Sequence, residues 1–372
     1  MYKLRSHKLL IAILLIFVLG TLVGCGTAPK EQTQKDTQKT TEEMKVGFIY
    51  IGPPGDHGYT YAHDEGRKYL ESKLPWVKTI AMESVADVDT ERVASELAEK
   101  GCKVIFATSF GEMDGLLAAS KKYPNVVFEH CSGYKTNTNM GTYFGKIEQP
   151  RYLSGIVAGK MTKSNQIGYV AAFPIPEVVR GINAFTMGVR SVNPDAKVKV
   201  VWTSTWLDLT LEKKAAQSLL DGGADVIAQH QDTTSPQQAA EEKGAYAIGY
   251  NSDMNKFAPK ANLCSVVWNW GPYYVKTVEA VKAGNWKNDQ YWGPMADGIV
   301  ALSPMYNVPA DVQKLVETKS EEFMTGKSDS FSGVVKDQSG KVRVPAGQVL
   351  SDKDQLSMDW FVEGVDGTIP KS

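Results

Sequence analysis

Tryptophan, tyrosine, aspartate, asparagine and histidine gather in short stretches, each following a run of β-forming residues. They are Pro53–Tyr61 (PPGDHGYTY), Ser109–Asp114 (SFGEMD), His130–Tyr134 (HCSGY), Phe173–Glu177 (FPIPE), Thr203–Asp208 (TSTWLD), His230–Thr234 (HQDTT), Asn251–Asn255 (NSDMN) and Trp268–Gly271 (WNWG). Ring faces with a few carboxylates and amides can hold a flat heterocycle or a sugar, the rings stacking and the polar groups orienting. They are poor equipment for catalysis. The chain has no GxSxG elbow, no HExxH, no P-loop and no GxGxxG fingerprint. It also lacks the metal-ligand set with a paired glutamate that a purine deaminase needs. His57, His63 and Asp64 are close in sequence, but His57 falls in a glycine-flanked loop and His63 inside the helix that follows. One face cannot present both, so capping or solvated roles are favoured over a metal. The chemistry implied is capture of a small molecule, with no catalytic residue, metal or cofactor.

The elements that must position these stretches alternate. Strand-like runs at Lys45–Ile51, Val77–Glu83, Lys103–Thr108 and Val126–His130 are interleaved with helical patterns at Tyr61–Ser72, Thr90–Lys100 and Glu112–Lys122. The pattern restarts after Gln149, with helices at Arg151–Met161, Val178–Val192, Leu211–Asp221 and Gln237–Lys243. Between them lie strands at Ile167–Ala171, Val198–Trp202, Asp225–Gln229 and Tyr246–Tyr250. Such alternation means βαβ units and parallel sheet, and two series mean two doubly wound lobes of an α/β protein. Ligands of such sheets sit outside the carboxyl ends of the strands, where the aromatic stretches fall.

The whole chain has 372 residues, room for two domains, with 41 basic and 42 acidic residues for a net charge of -1. That balance argues against a nucleic-acid partner, which needs a basic face. Lys3, Arg5 and Lys8 precede an apolar run from Leu9 to Leu19, too short to span a bilayer and suited to a secretory signal. The run ends in Leu22-Val23-Gly24-Cys25, which resembles the lipobox of bacterial lipoproteins; the competing reading is a plain signal with an incidental cysteine. Residues 1–25 are then a signal ending at the lipidated Cys25, and residues 26–44, almost without apolar side chains, a flexible tether. The mature protein is expected on the extracytoplasmic face of the bacterial cell membrane, held by its lipid. The other cysteines, Cys102, Cys131 and Cys264, lie beside strand-like runs with no CxxC pair. They read as buried thiols rather than a disulfide.

The opening KVGFIYIGPPGDHGYTYAHDEG, the middle SVNPDAKVKVVWTSTWLD and the later ADVIAQHQDTT and YAIGYNSD together resemble the basic membrane protein family of lipoproteins. That family includes purine nucleoside receptors and supplies substrate-binding components of ABC importers. The likeness spans about residues 45–300. It implies a type I periplasmic-binding-protein fold: two lobes, three crossovers, a hinge and an inter-lobe ligand cleft. Lobe one would take residues 45–147 and 270–288, lobe two 148–269 and 289–372. The tail carries a helix pattern at Ala310–Met324 and a hairpin candidate, VVKDQSGKVRV, turning at Ser339-Gly340. A monomer that closes on its ligand and docks on an ABC permease is implied. A co-receptor for a membrane sensor is the alternative, whereas a repressor would need a helix-turn-helix where the export signal stands.

By the same resemblance, Asp56 matches a ligand-gripping carboxylate of the first loop, against a plain role as helix cap. Tyr59 and Tyr61 would wall the slot, with Phe110 from the SFGEMD stretch. Trp206 matches the aromatic that stacks on the base, and Asp232 would accept from an exocyclic amine, against roles in strand-end core and hinge turn. Two departures matter. Nucleoside binders resemble IGVDSD where this chain has Ile248-Gly249-Tyr250-Asn251-Ser252-Asp253, and carry a lysine aligned with Trp268. Both ribose-handling charges are then replaced, and Trp268 and Trp270 crowd the space. Asn251 could still serve a base edge, with Asp253 beside it. A subgroup sharing the opening, TW-D and WGP elements resembles binders of free adenine. A purine base, adenine foremost, is therefore expected over a nucleoside.

Overall fold

A computed structural model describes residues 43–371. The signal, most of the tether and the lipidation expected at Cys25 lie outside the described residues.

Five strands open the chain: β1 (Met44–Ile49), β2 (Val77–Met82), β3 (Cys102–Ala107), β4 (Val127–Cys131) and β5 (Met140–Gly145). Between them run α1 (Tyr59–Lys73), α2 (Thr90–Glu99) and α3 (Met113–Lys122). Helix α2 turns Val93, Ala94 and Leu97 onto the sheet, as its period demands. The second series holds β6 (Gln166–Ala171), β7 (Lys197–Trp202), β8 (Val226–His230), β9 (Tyr246–Asn251) and β10 (Asn262–Trp268), with α4 (Glu148–Met161), α5 (Pro176–Val192), α6 (Leu209–Asp221) and α7 (Ser235–Glu242). Helix α8 (Gly271–Lys282) then leads to β11 (Gln290–Gly293), which returns to the first sheet, and β12 (Val300–Leu302) joins the second.

The first sheet has the order β11-β5-β4-β3-β1-β2, all parallel. The second sheet runs β12-β10-β9-β8-β6-β7 and ends on β15 (Val365–Asp366), with only β12 antiparallel. The chain passes between the sheets after β5, after β10 and after β11. This is the two-sheet, thrice-crossed architecture expected of a type I binding protein.

One expectation needs correction. The change of lobe expected at residue 288 falls later, because β11 hydrogen-bonds β5 in the first sheet from Gln290↔Thr142 to Gly293↔Gly145. Strand β5 itself (MGTYFG) went unread in the sequence. It follows β4 through a loop without a helix, so the alternation that exposes parallel strands is missing there.

Helices α4 and α5 pack at close range because two glycines allow it. A Cβ on Gly155 would overlap the Phe185 carbonyl, and one on Gly188 the Tyr152 carbonyl. The tail wraps lobe two after α9 (Ala310–Met324). Its hairpin pairs β13 (Val335–Lys336) with β14 (Val342–Val344). The turn is where the sequence places it: Gly340 has φ 83° and its N–H meets the Asp337 carbonyl at 2.9 Å. Cys102, Cys131 and Cys264 are buried and free, as expected. No helix among the described residues is long and apolar enough to cross a membrane.

Candidate ligand-binding cleft

The carboxyl ends of the two sheets face each other across a small cavity with about 30 Å³ of free volume. Ile51, Tyr59, Ser109, Phe110 and Ser132 line it from the first lobe, and Glu177, Trp206, His230, Asp232 and Tyr250 from the second. Four of these are aromatic walls. Tyr59 opens α1 and is pinned by its hydroxyl, which donates to the Thr108 carbonyl at 2.7 Å and lies 3.3 Å from Cys131 Sγ. Trp206 follows β7, with its ring 5.1 Å from that of Phe173. The Trp206 carbonyl accepts the Asp232 N–H at 3.1 Å. The Tyr250 ring is backed by the buried Arg151 guanidinium, 3.8 Å from its centroid.

The polar groups are held from behind. The Ser109 N–H donates to Glu112 Oε2 at 2.9 Å, and burial lifts the Glu112 carboxyl to about 8. Glu212, raised to about 7 by burial, accepts from the Thr233 hydroxyl at 2.5 Å and so fixes the loop that carries Asp232. His230 Nε2 lies 3.3 Å from Glu177 Oε1 and 3.3 Å from the Tyr250 hydroxyl. Burial holds this imidazole below its ordinary range despite the carboxylate beside it. Asp232 is pushed well above the ordinary carboxylate range, first by burial and then by the nearby Asp56.

Of the residues expected at the site, Tyr59, Phe110, Trp206 and Asp232 line this cavity and the others do not. Asp56 is a helix cap. Its Oδ1 accepts from the Gly58 and Tyr61 N–H groups and its Oδ2 from Thr60, each at 2.9 Å. Thr60 and Tyr61 are orphan N–H groups of the first turn of α1 and Gly58 is its N-cap residue, which leaves the carboxylate little to offer a ligand. Tyr61 lies instead against His57, 5.5 Å between ring centroids, with Lys256 Nζ 5.9 Å from its ring. Asp253 is exposed, bonding the Asn255 N–H at 3.0 Å and the Tyr306 hydroxyl at 2.5 Å. Trp268 and Trp270 stack on each other at 4.5 Å, and Trp270 stacks on His63 at 4.6 Å. That pile is hinge core, not cavity wall. Asn251 is fully buried beneath Asp232.

Glu177, His230, Tyr250, Ser109, Ser132 and Ile51 were not singled out. Their signal was position alone: each ends a strand or sits in the stretch after one. Among the described residues no group of three or more His, Cys, Asp or Glu side chains could hold a metal ion. The site offers ring faces, a neutral imidazole and two carboxyl groups, Glu177 and Asp232, which suits binding rather than bond-making.

Residues 43–329 match the Bmp family, described as PnrA-like ABC transporter substrate-binding proteins. A purine-binding protein of Brucella abortus is 45% identical over 332 residues, covering 89% of this chain and 95% of that protein. A Haloferax volcanii protein, provisionally named an ABC transporter glucose-binding protein, is 39% identical over 94% of this chain and 88% of its own length. In fold, the chain is similar to the structure of a solute-binding protein of an Aeropyrum pernix ABC transporter, with TM-score 0.68 at 17% identity, over 79% of this chain and 93% of that one. With the family profile covering most of the described residues and two relatives matched almost end to end, the chain belongs to the Bmp family of PnrA-like substrate-binding proteins of ABC transporters.

Proposed function

We propose that this substrate-binding protein captures a free purine base, adenine foremost, between its lobes and delivers it to an ABC permease. The observation that carries the reading is a small cavity with four ring walls and two carboxyl groups, Asp232 and the Glu177 that pairs with His230. Its free volume is only about 30 Å³, well below open ligand pockets of roughly 300–1,000 Å³, so the lobes must part to admit a ligand. Stacking between rings suits a flat heterocycle, and Asp232 can accept from an exocyclic amine. The purine-binding relative at 45% identity supports the same class.

The runner-up is a purine nucleoside. A neighbouring space of about 200 Å³ shares Phe110, Ser132 and Glu177 with the cavity, and a ribose could extend into it. Ribose hydroxyls buried without partners cost roughly 1–3 kcal/mol each, which favours the base.

The test is calorimetry and thermal shift with adenine, hypoxanthine, guanine, adenosine and glucose. A ligand that binds only the folded form raises the melting temperature. Adenine should bind at least about tenfold tighter than adenosine, a gap of about 1.4 kcal/mol. The reverse order hands the site to nucleosides, and a response to glucose alone removes the purine reading.

The same reading has the protein act as a monomer anchored through Cys25, motivated by the lipobox-like Leu22-Val23-Gly24-Cys25. Metabolic labelling with a palmitate analogue should mark the wild type and not Cys25→Ser; equal labelling would refute the anchor.

A further inference from the structure

Asn251 and Trp268 stand where the nucleoside binders that this chain resembles carry charged residues, yet neither lines the cavity. Each ends one of two adjacent strands, β9 and β10, and Asp232 follows the next strand, β8. Three side chains are thereby set in a row. Trp268 Nε1–H donates to Asn251 Oδ1 at 3.0 Å, and Asn251 Nδ2–H donates to Asp232 Oδ1 at 3.1 Å.

The polarity of the row is forced. An indole nitrogen can only donate, so the amide must turn its oxygen to Trp268 and its nitrogen to Asp232. The indole cannot swing away, because it is stacked on Trp270, which is stacked on His63 of α1. Asn251 itself sits at φ 69°, a left-handed conformation that asparagine tolerates better than most residues. The Asp232 backbone is fixed from the other side by its N–H bond to Trp206. Among the described residues no donor meets Asp232 Oδ2, and Asp232 lines the cavity.

We propose that Trp268 and Asn251 are positioning residues that hold one oxygen of Asp232 so that the other faces the amine edge of the ligand. This rests on the purine reading above and deepens it: the row makes the cleft select a 6-amino over a 6-oxo purine. A free carboxyl could rotate to suit either edge. In its ionised form a pinned carboxyl presents an acceptor in one direction, where an amine gains a bond and a keto oxygen meets repulsion; burial works against that form and the Asn251 N–H works for it.

Two variants test it. Trp268→Phe keeps the stacked ring and removes the N–H, which frees the amide to flip. Asn251→Gly removes the amide at a φ that glycine adopts without strain. Each should lower adenine affinity about tenfold, the order of one lost charge-assisted hydrogen bond, with hypoxanthine little changed. The adenine-to-hypoxanthine preference should therefore collapse. A uniform loss for both bases, or an unchanged ratio in a folded variant, would overturn the proposal. The ¹³C carboxyl resonance of Asp232 supplies an independent reading without ligand. It should move in Trp268→Phe although that residue does not touch Asp232, and an unmoved resonance also overturns the proposal. A wild type that binds no purine would sink the purine reading instead and leave the resonance to decide the role of the row.

Discussion

Replacing Gly58 with alanine should leave both lobes folded and lower adenine affinity about a hundredfold, equivalent to about 2.7 kcal/mol. Gly58 caps α1 on the first lobe and lies against the Asp232 backbone of the second, so closely that a Cβ would overlap the Asp232 carbonyl. That neighbour is backbone and cannot turn aside as a side chain would. Overpacking at such a contact costs roughly 1–3 kcal/mol. The cost falls only on the closed form, because opening the cleft separates the two segments. The cross-lobe bond from the Ser252 hydroxyl to the His57 carbonyl, 2.5 Å, would also be lost when the lobes fail to close. When the competent state becomes rare, apparent affinity drops by the same fraction. Calorimetry with adenine reads the affinity, and small-angle scattering with and without adenine reads the closure. Wild-type affinity together with ligand-induced compaction in Gly58→Ala would show that the contact does not limit closure. A melting temperature within a few degrees of wild type would show that the lobes themselves are intact.

Trp206→Ala should weaken adenine binding tenfold to a hundredfold, roughly 1–3 kcal/mol. The indole is a wall of the cavity and is only partly buried without ligand, so its removal should cost little stability. Its contribution to the neighbouring carboxyl runs through the backbone carbonyl that accepts the Asp232 N–H, which alanine retains. The loss would therefore report stacking rather than a displaced Asp232. Trp206→Phe, keeping a ring against Phe173, should recover most of the affinity. If Trp206→Ala binds adenine like the wild type, the indole is core at the end of a strand and the base lies elsewhere.

Several features were set by sequence alone, because they depend on neighbours a few residues away. Strand and helix alternation from Lys45 to Tyr250 follows from local hydrophobic period, and it places the cleft at the strand ends. The turn at Gly340 follows from the φ that glycine permits. Tyr59 and Trp206 reach the cavity because they lie in the loop-to-helix stretches beyond the carboxyl ends of β1 and β7, strands whose direction is legible. The cap role of Asp56 was also within reach, since its partners Gly58, Thr60 and Tyr61 are all within five residues.

The remaining decisions belong to tertiary structure. Nothing local tells Trp268 that Asn251 stands beside it, or Asn251 that it lies beneath Asp232. That row exists only because β10, β9 and β8 are laid side by side in that order. Likewise β11 joins the first sheet because β5, far away in sequence, offers it an open edge. Tyr250, His230 and Glu177 meet in the cavity from three separate segments. A side chain's type limits which bonds it can make. Which bond it makes depends on the donor or acceptor that the fold brings within about 3 Å, and that is a property of strand order and lobe closure rather than of spacing along the chain.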